Sequence, residues 1–128
     1  MLADSRPSVQ AQAAYGLSRL GAEAQSAVPE LKRALSSPDT LVRLNAALAL
    51  AKIGPGAAEA VPPLIEALRD PQWSVRRQAA IALGSIGVAA EPAIPRLAQL
   101  AGERDKLVSA AAREAIKTIK DGRSRNGS

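Results

Sequence analysis

Two stretches of the sequence decide the fold: PDTLVRLNAALALAKIG at residues 38–54 and PQWSVRRQAAIALGSIG at residues 71–87. In the first stretch, Val42, Ala46, Leu50 and Ile53 recur at steps of three or four residues, which is the spacing of one face of an α-helix. The second stretch repeats the pattern 33 residues later. The sequence therefore predicts a series of similar amphipathic helices.

The same period runs along most of the chain and defines an internal repeat. Shorter segments with an early proline, AVPPLIEAL at 60–68 and AIPRLAQL at 93–100, alternate with the longer stretches and have their own helical spacing. Each unit is thus predicted to contain two helices. We call a set of residues that recur every 33 positions a column. The columns are Val9, Val42, Val75 and Val108; Leu20, Ile53, Ile86 and Ile119; Gly21, Gly54 and Gly87; and Pro29, Pro62 and Pro95.

Turn residues set the expected helix boundaries. Ser37 and Asp70 can accept hydrogen bonds from free amides at a helix start, and the prolines that follow them suit a first helical turn. Gly54 stands where a chain leaving a helix needs positive φ. The predicted helices lie near residues 6–20, 25–36, 39–53, 57–69, 72–86, 90–102 and 106–120.

Composition argues against most enzymatic chemistry. The 128 residues include no cysteine and no histidine, which removes disulfides, thiolate nucleophiles and the commonest general base and metal ligand. No glycine-rich phosphate loop or metal-ligand cluster stands out, so we expect no enzyme activity, no cofactor and no metal. The N-terminus lacks a signal-peptide run, and no stretch is apolar enough to span a bilayer. A cytoplasmic protein with no membrane contact is the default expectation.

The Val-Arg-x-x-Ala-Ala-x-x-Leu pattern of the long stretches, alternating with the proline-started segments, resembles HEAT-like repeats of the phycobilisome-lyase type. The resemblance covers nearly the whole chain, whereas the signatures of ankyrin and tetratricopeptide repeats are missing. It implies an all-α, right-handed superhelix, or solenoid, of about three and a half helical hairpins, with the Val-Arg helices on the concave side. We predict a repeat domain over residues 1–120 and a flexible basic tail over 121–128.

The two ends of the array depart from the pattern differently. Arg113 replaces an alanine of the Ala-Ala pair and Lys120 replaces the closing glycine, which is typical of a polar cap. The first helix, around Val9 to Leu20, has no proline-started partner before it. We therefore predict that the chain is a fragment or that this uncapped helix drives weak self-association.

The arginines that follow the column valines have a structural interpretation. Arg43 and Arg76 could pair with acids such as Asp39, Asp70 or Asp105 and so order neighbouring helix ends. They are poor candidates for catalysis.

Residues two, six and ten after each column valine vary between units and form one stripe on each long helix. Exposed aromatic and aliphatic side chains beside Arg and Lys are typical of protein-recognition surfaces, although packing between helices could also explain the apolar ones. Trp73, the only tryptophan, would lie at one end of the stripe. The predicted site for a protein or peptide partner is Tyr15, Arg19, Leu44, Leu48, Lys52, Trp73, Arg77 and Ile81.

Two other functions stay open. The formal charge of +5 and the basic C-terminal end allow binding to a nucleic-acid backbone, our second choice, although the basic residues are scattered. The resemblance also allows a non-catalytic subunit or fragment of a phycobilin lyase-like assembly, but the chain has no Cys or His for lyase chemistry.

Overall fold

The computed structural model describes residues 25–127, with side chains up to residue 122. The described chain is helical and contains no strand. Three short helices, α1 (Val28–Ala34), α3 (Val61–Ala67) and α5 (Ile94–Leu100), alternate with three long ones, α2 (Thr40–Ile53), α4 (Trp73–Ile86) and α6 (Lys106–Gly127). The predicted helix at 6–20, and with it the predicted self-association, lies outside the described residues.

The long helices form one layer of a solenoid, in which α4 packs against both α2 and α6. Each short helix packs against the long helix that follows it: α1 on α2, α3 on α4 and α5 on α6. The repeat columns form the core: Val42, Val75 and Val108 are buried, as are Leu31, Leu64 and Leu97 of the short helices. The two-helix repeat predicted from the sequence is confirmed in the described part of the chain.

The short helices begin later than predicted because the chain enters them through 3₁₀ segments, Gly54–Ala60 and Gly87–Ala93. In the first segment, Ala57 has non-helical angles (φ −99°, ψ 20°), and the α-helix starts only at Val61. Proline at the first or second position of α3 lacks an amide hydrogen that a continuous helix would need. The predicted starts at 57 and 90 were therefore early.

The final helix differs from the prediction at its other end, because α6 continues to Gly127 instead of ending at residue 120. Both α2 and α4 end at a glycine with positive φ, Gly54 at 72° and Gly87 at 84°. Lys120 occupies the equivalent position in the repeat and gives the helix no such stop.

The helix starts correct the predicted caps. Asp39 caps α2, since its carboxylate accepts hydrogen bonds from the amides of Leu41 (2.9 Å) and Val42 (3.2 Å). Asp105 does the same for α6. The predicted caps Ser37 and Asp70 instead accept from amides two residues further on, within the loops. The prolines at 38 and 71 therefore precede the helices.

An arginine–acid ladder joins successive loops along the repeat. The Arg43 Nε donates to Asp70 Oδ2 at 2.7 Å, and its Nη1 donates to the carbonyl of Ser37 at 2.9 Å. Arg76 repeats this arrangement with the Glu103 carboxylate and the carbonyl of Asp70. The predicted pairing of Arg43 with Asp70 is confirmed, whereas Arg76 pairs with Glu103 and not with Asp105, whose carboxylate caps α6.

Gly87→Ala is expected to lower the free energy of unfolding by about 1–3 kcal/mol, because φ of 84° with ψ of −138° is a region that L-residues avoid. An added Cβ would meet no atom within 4 Å, so the cost is one of backbone conformation alone. Gly102→Ala is the matched control, since its φ is not positive and it is predicted to change stability by less than about 1 kcal/mol. Urea denaturation followed by circular dichroism checks both, and equal losses would contradict the backbone explanation.

Candidate binding groove

A groove of about 440 Å³ lies between α4 and α6. Its surface is mainly apolar, which is typical of sites that bind other molecules. Both helices contribute positions of the predicted stripe, two, six and ten residues after their column valines. The lining residues are Arg77, Ile81, Gly84 and Ser85 of α4, and Leu107, Ala110, Ala111, Glu114, Ala115 and Thr118 of α6.

The floor of the groove is made by small residues. A Cβ added at Gly84 would lie 3.1 Å from the Cα of Ala115, so the glycine lets the two helices approach closely. Ile81 and Leu107 are the large apolar side chains of the lining, and Leu107 is 54% exposed. The groove therefore has a floor of small residues with an exposed apolar side chain beside it.

Two charged groups lie at the groove. Arg77, half-buried in the first turns of α4, and Glu114, exposed on α6, both line it. Neither forms an ion pair with any residue in the described part of the chain. Thr118 donates its hydroxyl to the carbonyl of Glu114 at 2.9 Å and so turns inward to its own helix. The groove thus presents one cation and one anion to a ligand.

A second cavity of about 420 Å³ extends the groove toward the C-terminal end of α4. It shares Gly84, Ser85 and Thr118 with the first cavity, and reaches Val88 and Gly122. The concavity therefore follows the two helices along most of the length of α4.

The structure brings together only part of the predicted site. Arg77 and Ile81 line the groove. Leu44 and Leu48 are half-buried on α2, with Leu44 packed against the core, and Lys52 is exposed at the end of that helix. Trp73 is 45% exposed at the start of α4 but does not line the groove. Tyr15 and Arg19 lie outside the described residues, and the binding role of all eight stays a prediction.

The prediction missed the contribution of α6. Ala110, Glu114 and Thr118 occupy the same repeat columns as Arg77, Ile81 and Ser85, and this shared register could have identified them. Leu107 lies one residue before its column valine, at the position of Leu41 in α2. Both leucines are exposed, and this could not be read from hydropathy, which favours burial of leucine.

Acidic metal-binding clusters and membrane-spanning helices are both absent from the described residues. Residues 25–122 contain no cluster of acidic side chains suited to a metal ion. None of the described helices combines the length and apolar composition needed to cross a membrane.

Comparison with known proteins agrees with the repeat geometry. The family model for HEAT repeats matches residues 1–58 and again 55–117. The chain belongs to the HEAT repeat family. No curated protein matches the chain.

Solved structures similar to this HEAT repeat chain include engineered proteins. One crystal structure of an engineered protein is 29% identical with a TM-score of 0.81, and the match covers 94% of this chain and 60% of that protein. A second engineered protein is 28% identical with a TM-score of 0.76, covering 94% of this chain and 36% of the other. The HEAT repeat chain therefore spans less than two thirds of either protein.

A designed armadillo repeat protein, solved in complex with the peptide (KR)4, is 21% identical with a TM-score of 0.81. The match covers 92% of this chain and 61% of that protein. At this identity the similarity concerns the fold, and it places the HEAT repeat chain among helical solenoids with armadillo-like geometry.

Proposed function

We propose that the chain is a non-enzymatic scaffold that binds an apolar segment of a protein partner in the groove between α4 and α6. The observation that carries the proposal is the groove itself, an accessible apolar concavity with Arg77 and Glu114 available at it. Helices packed on both sides hold its lining in place, so binding does not have to order the receptor surface. The predicted residues Leu44, Leu48 and Lys52 would extend contact onto α2.

The partner segment is expected to carry an acidic group close to an apolar side chain. Arg77 lacks an ion-pair partner among the described residues, and a guanidinium at the edge of an apolar groove favours a carboxylate with which it can form paired hydrogen bonds. The designed armadillo protein was solved with a basic peptide. This chain carries a net charge of +5, which supports a preference for acidic rather than basic segments.

Filling the groove tests the proposal. Peptides are selected from a random display library on the wild-type chain, and the dissociation constants of the selected peptides are then measured for Ala110→Trp and Ala98→Trp. Both alanines are exposed, but only Ala110 lines the groove, whereas Ala98 lies on α5. We expect Ala110→Trp to weaken binding about tenfold or more, because the indole occupies the space of the ligand, and Ala98→Trp to leave it unchanged.

Equal affinities of the selected peptides for both variants would contradict the groove as the binding site. Circular dichroism of the two variants checks that each retains its helical content.

One observation favours nucleic acid as a second candidate. Lys106, Arg113, Lys117 and Lys120 are exposed on α6 at spacings that place them along one side of the helix. A salt-sensitive interaction with unrelated duplex DNA, unaffected by Ala110→Trp, would support this alternative over the protein partner.

A further inference from the structure

The two charged residues of the groove lie on opposite sides of it. Arg77 belongs to α4 and Glu114 to α6, and the other described lining residues of both helices are uncharged. Between the two sides the surface is mainly apolar, and Gly84 and Ala115 lie close together at its floor. A ligand in the groove therefore has a cation on its α4 side and an anion on its α6 side.

Both charges are available to a ligand. The neighbouring ladder arginine, Arg76, pairs with Glu103, whereas Arg77 forms no ion pair within residues 25–122. Glu114 forms none in that range either, and it is its backbone carbonyl, not its carboxylate, that accepts the hydroxyl of Thr118. Charged groups of a ligand would therefore compete with water at these two residues and not with an ion pair of the described chain.

A cation and an anion on opposite sides of a groove distinguish the two directions in which one segment can lie. A segment with its acid toward α4 and its base toward α6 meets an opposite charge on each side. The same segment turned end for end places its base against Arg77 and its acid against Glu114, so both pairs become repulsive. This holds whatever distance separates the two residues, because it depends only on the helix to which each belongs.

The two charges should contribute unequally to affinity. Arg77 is half-buried, so water screens its guanidinium less, and it can hold a carboxylate through paired hydrogen bonds. Glu114 is exposed, and exposed ion pairs contribute little to a free energy of binding. We therefore expect reversal of the charge at Arg77 to cost more affinity than reversal at Glu114.

We propose that the groove recognises a dipolar segment of the protein partner, with an acidic and a basic side chain on either side of an apolar one, and that Arg77 and Glu114 fix its direction. The carboxylate pairs with Arg77, the basic group pairs with Glu114, and the apolar side chain lies on the floor at Gly84 and Ala115. The inference rests on the proposed function, because it assigns an order of charges to the segment bound there.

The test uses labelled synthetic peptides that contain one glutamate, one lysine and leucine between them. The two charged residues are separated by two to six positions across the series, so no spacing is assumed, and each peptide is made in both charge orders. At the best spacing, we expect one order to bind the wild-type chain about fivefold to tenfold more tightly than the other in fluorescence anisotropy. A peptide with a second glutamate in place of the lysine should bind more weakly than the preferred order, although the charge of +5 alone would favour it.

Exchanging the two charges of the groove should exchange the preference. Arg77→Glu combined with Glu114→Arg keeps the net charge at +5, and we expect this exchanged variant to bind the other charge order more tightly. Glu66→Arg combined with Arg69→Glu is the matched control, since both residues are exposed at the end of α3 and neither lines the groove, so the wild-type preference should remain. Arg77→Gln combined with Glu114→Gln should bind both orders equally. Circular dichroism should show unchanged helicity in all three, because none of these side chains belongs to the core.

The inference is overturned if the wild-type chain binds both charge orders equally, if it binds none of these peptides, if the peptide with two glutamates binds best, or if the exchanged variant keeps the wild-type preference. Its failure is distinguishable from failure of the proposed function. Library-selected peptides that are lost with Ala110→Trp but bind the wild type and the exchanged variant equally would retain the groove and remove the role of its charges. Peptides insensitive to Ala110→Trp would remove the groove, and with it the proposed function.

Discussion

Leu83→Ala is expected to lower the free energy of unfolding by about 2–5 kcal/mol. Leu83 is fully buried in α4, the long helix that packs against both of its neighbours. Removing its side chain loses apolar burial and leaves a cavity that the stacked helices can close only in part. Urea denaturation followed by far-UV circular dichroism measures the change.

Leu107→Ala is the matched control, since the same chemical change is made on a long helix at a side chain that is 54% exposed. We expect it to change the free energy of unfolding by less than about 0.5 kcal/mol. A comparable loss in both variants would mean that the packing around Leu83 is not as described.

Asp70→Ala is expected to lower the free energy of unfolding by about 2–4 kcal/mol. The Asp70 side chain is 7% exposed, and its carboxylate accepts hydrogen bonds from the Arg43 guanidinium and from the amide of Gln72. Its removal leaves a largely buried arginine without its acid and an amide without its acceptor. Glu59→Ala is the control, because its contact with Lys32 is 3.9 Å long and exposed, and we expect a loss of less than about 0.5 kcal/mol.

A double-mutant cycle separates the free energy of the Arg43–Asp70 interaction from that of the hydrogen bond between Asp70 and the amide of Gln72. Arg43→Met together with Asp70→Ala should restore part of the loss, because no unpaired guanidinium then remains buried. If the double variant loses as much as the two single changes added, Arg43 and Asp70 do not interact in solution.

Most of the fold could be predicted from the sequence because each repeat unit shows the same pattern of apolar and turn residues. Val42, Val75 and Val108 indicated the buried face, and Gly54 and Gly87 indicated positive φ, all in agreement with the structure. The ladder was predicted only in part. Asp70 and Glu103 stand one repeat apart and could have been recognised as equivalent partners, but Asp105 lies nearby and competes as a pairing candidate. Its capping role depends on the loop conformation, which spacing does not give.

The candidate site was less predictable than the fold. The choice of positions two, six and ten after each column valine follows from helix geometry, and it selected Arg77 and Ile81, which line the groove. The groove, however, depends on how closely α4 and α6 approach, and that distance is set by Gly84 against the backbone of Ala115. The exposure of Leu41 and Leu107 likewise depends on what the neighbouring helix leaves uncovered.

The side of α6 that faces away from α4 is polar, whereas the equivalent side of α4 is apolar and buried. Ala80 and Gly84 are buried on α4, whereas Arg113 and Lys117, at the same repeat positions on α6, are exposed. A further unit laid onto α6 would have to desolvate both cations, while a unit inserted before α5 would meet small apolar residues on each side. Duplication of an internal 33-residue segment would therefore lengthen the array between α4 and α6, so that internal surface is added while the exposed cations of α6 keep their surroundings.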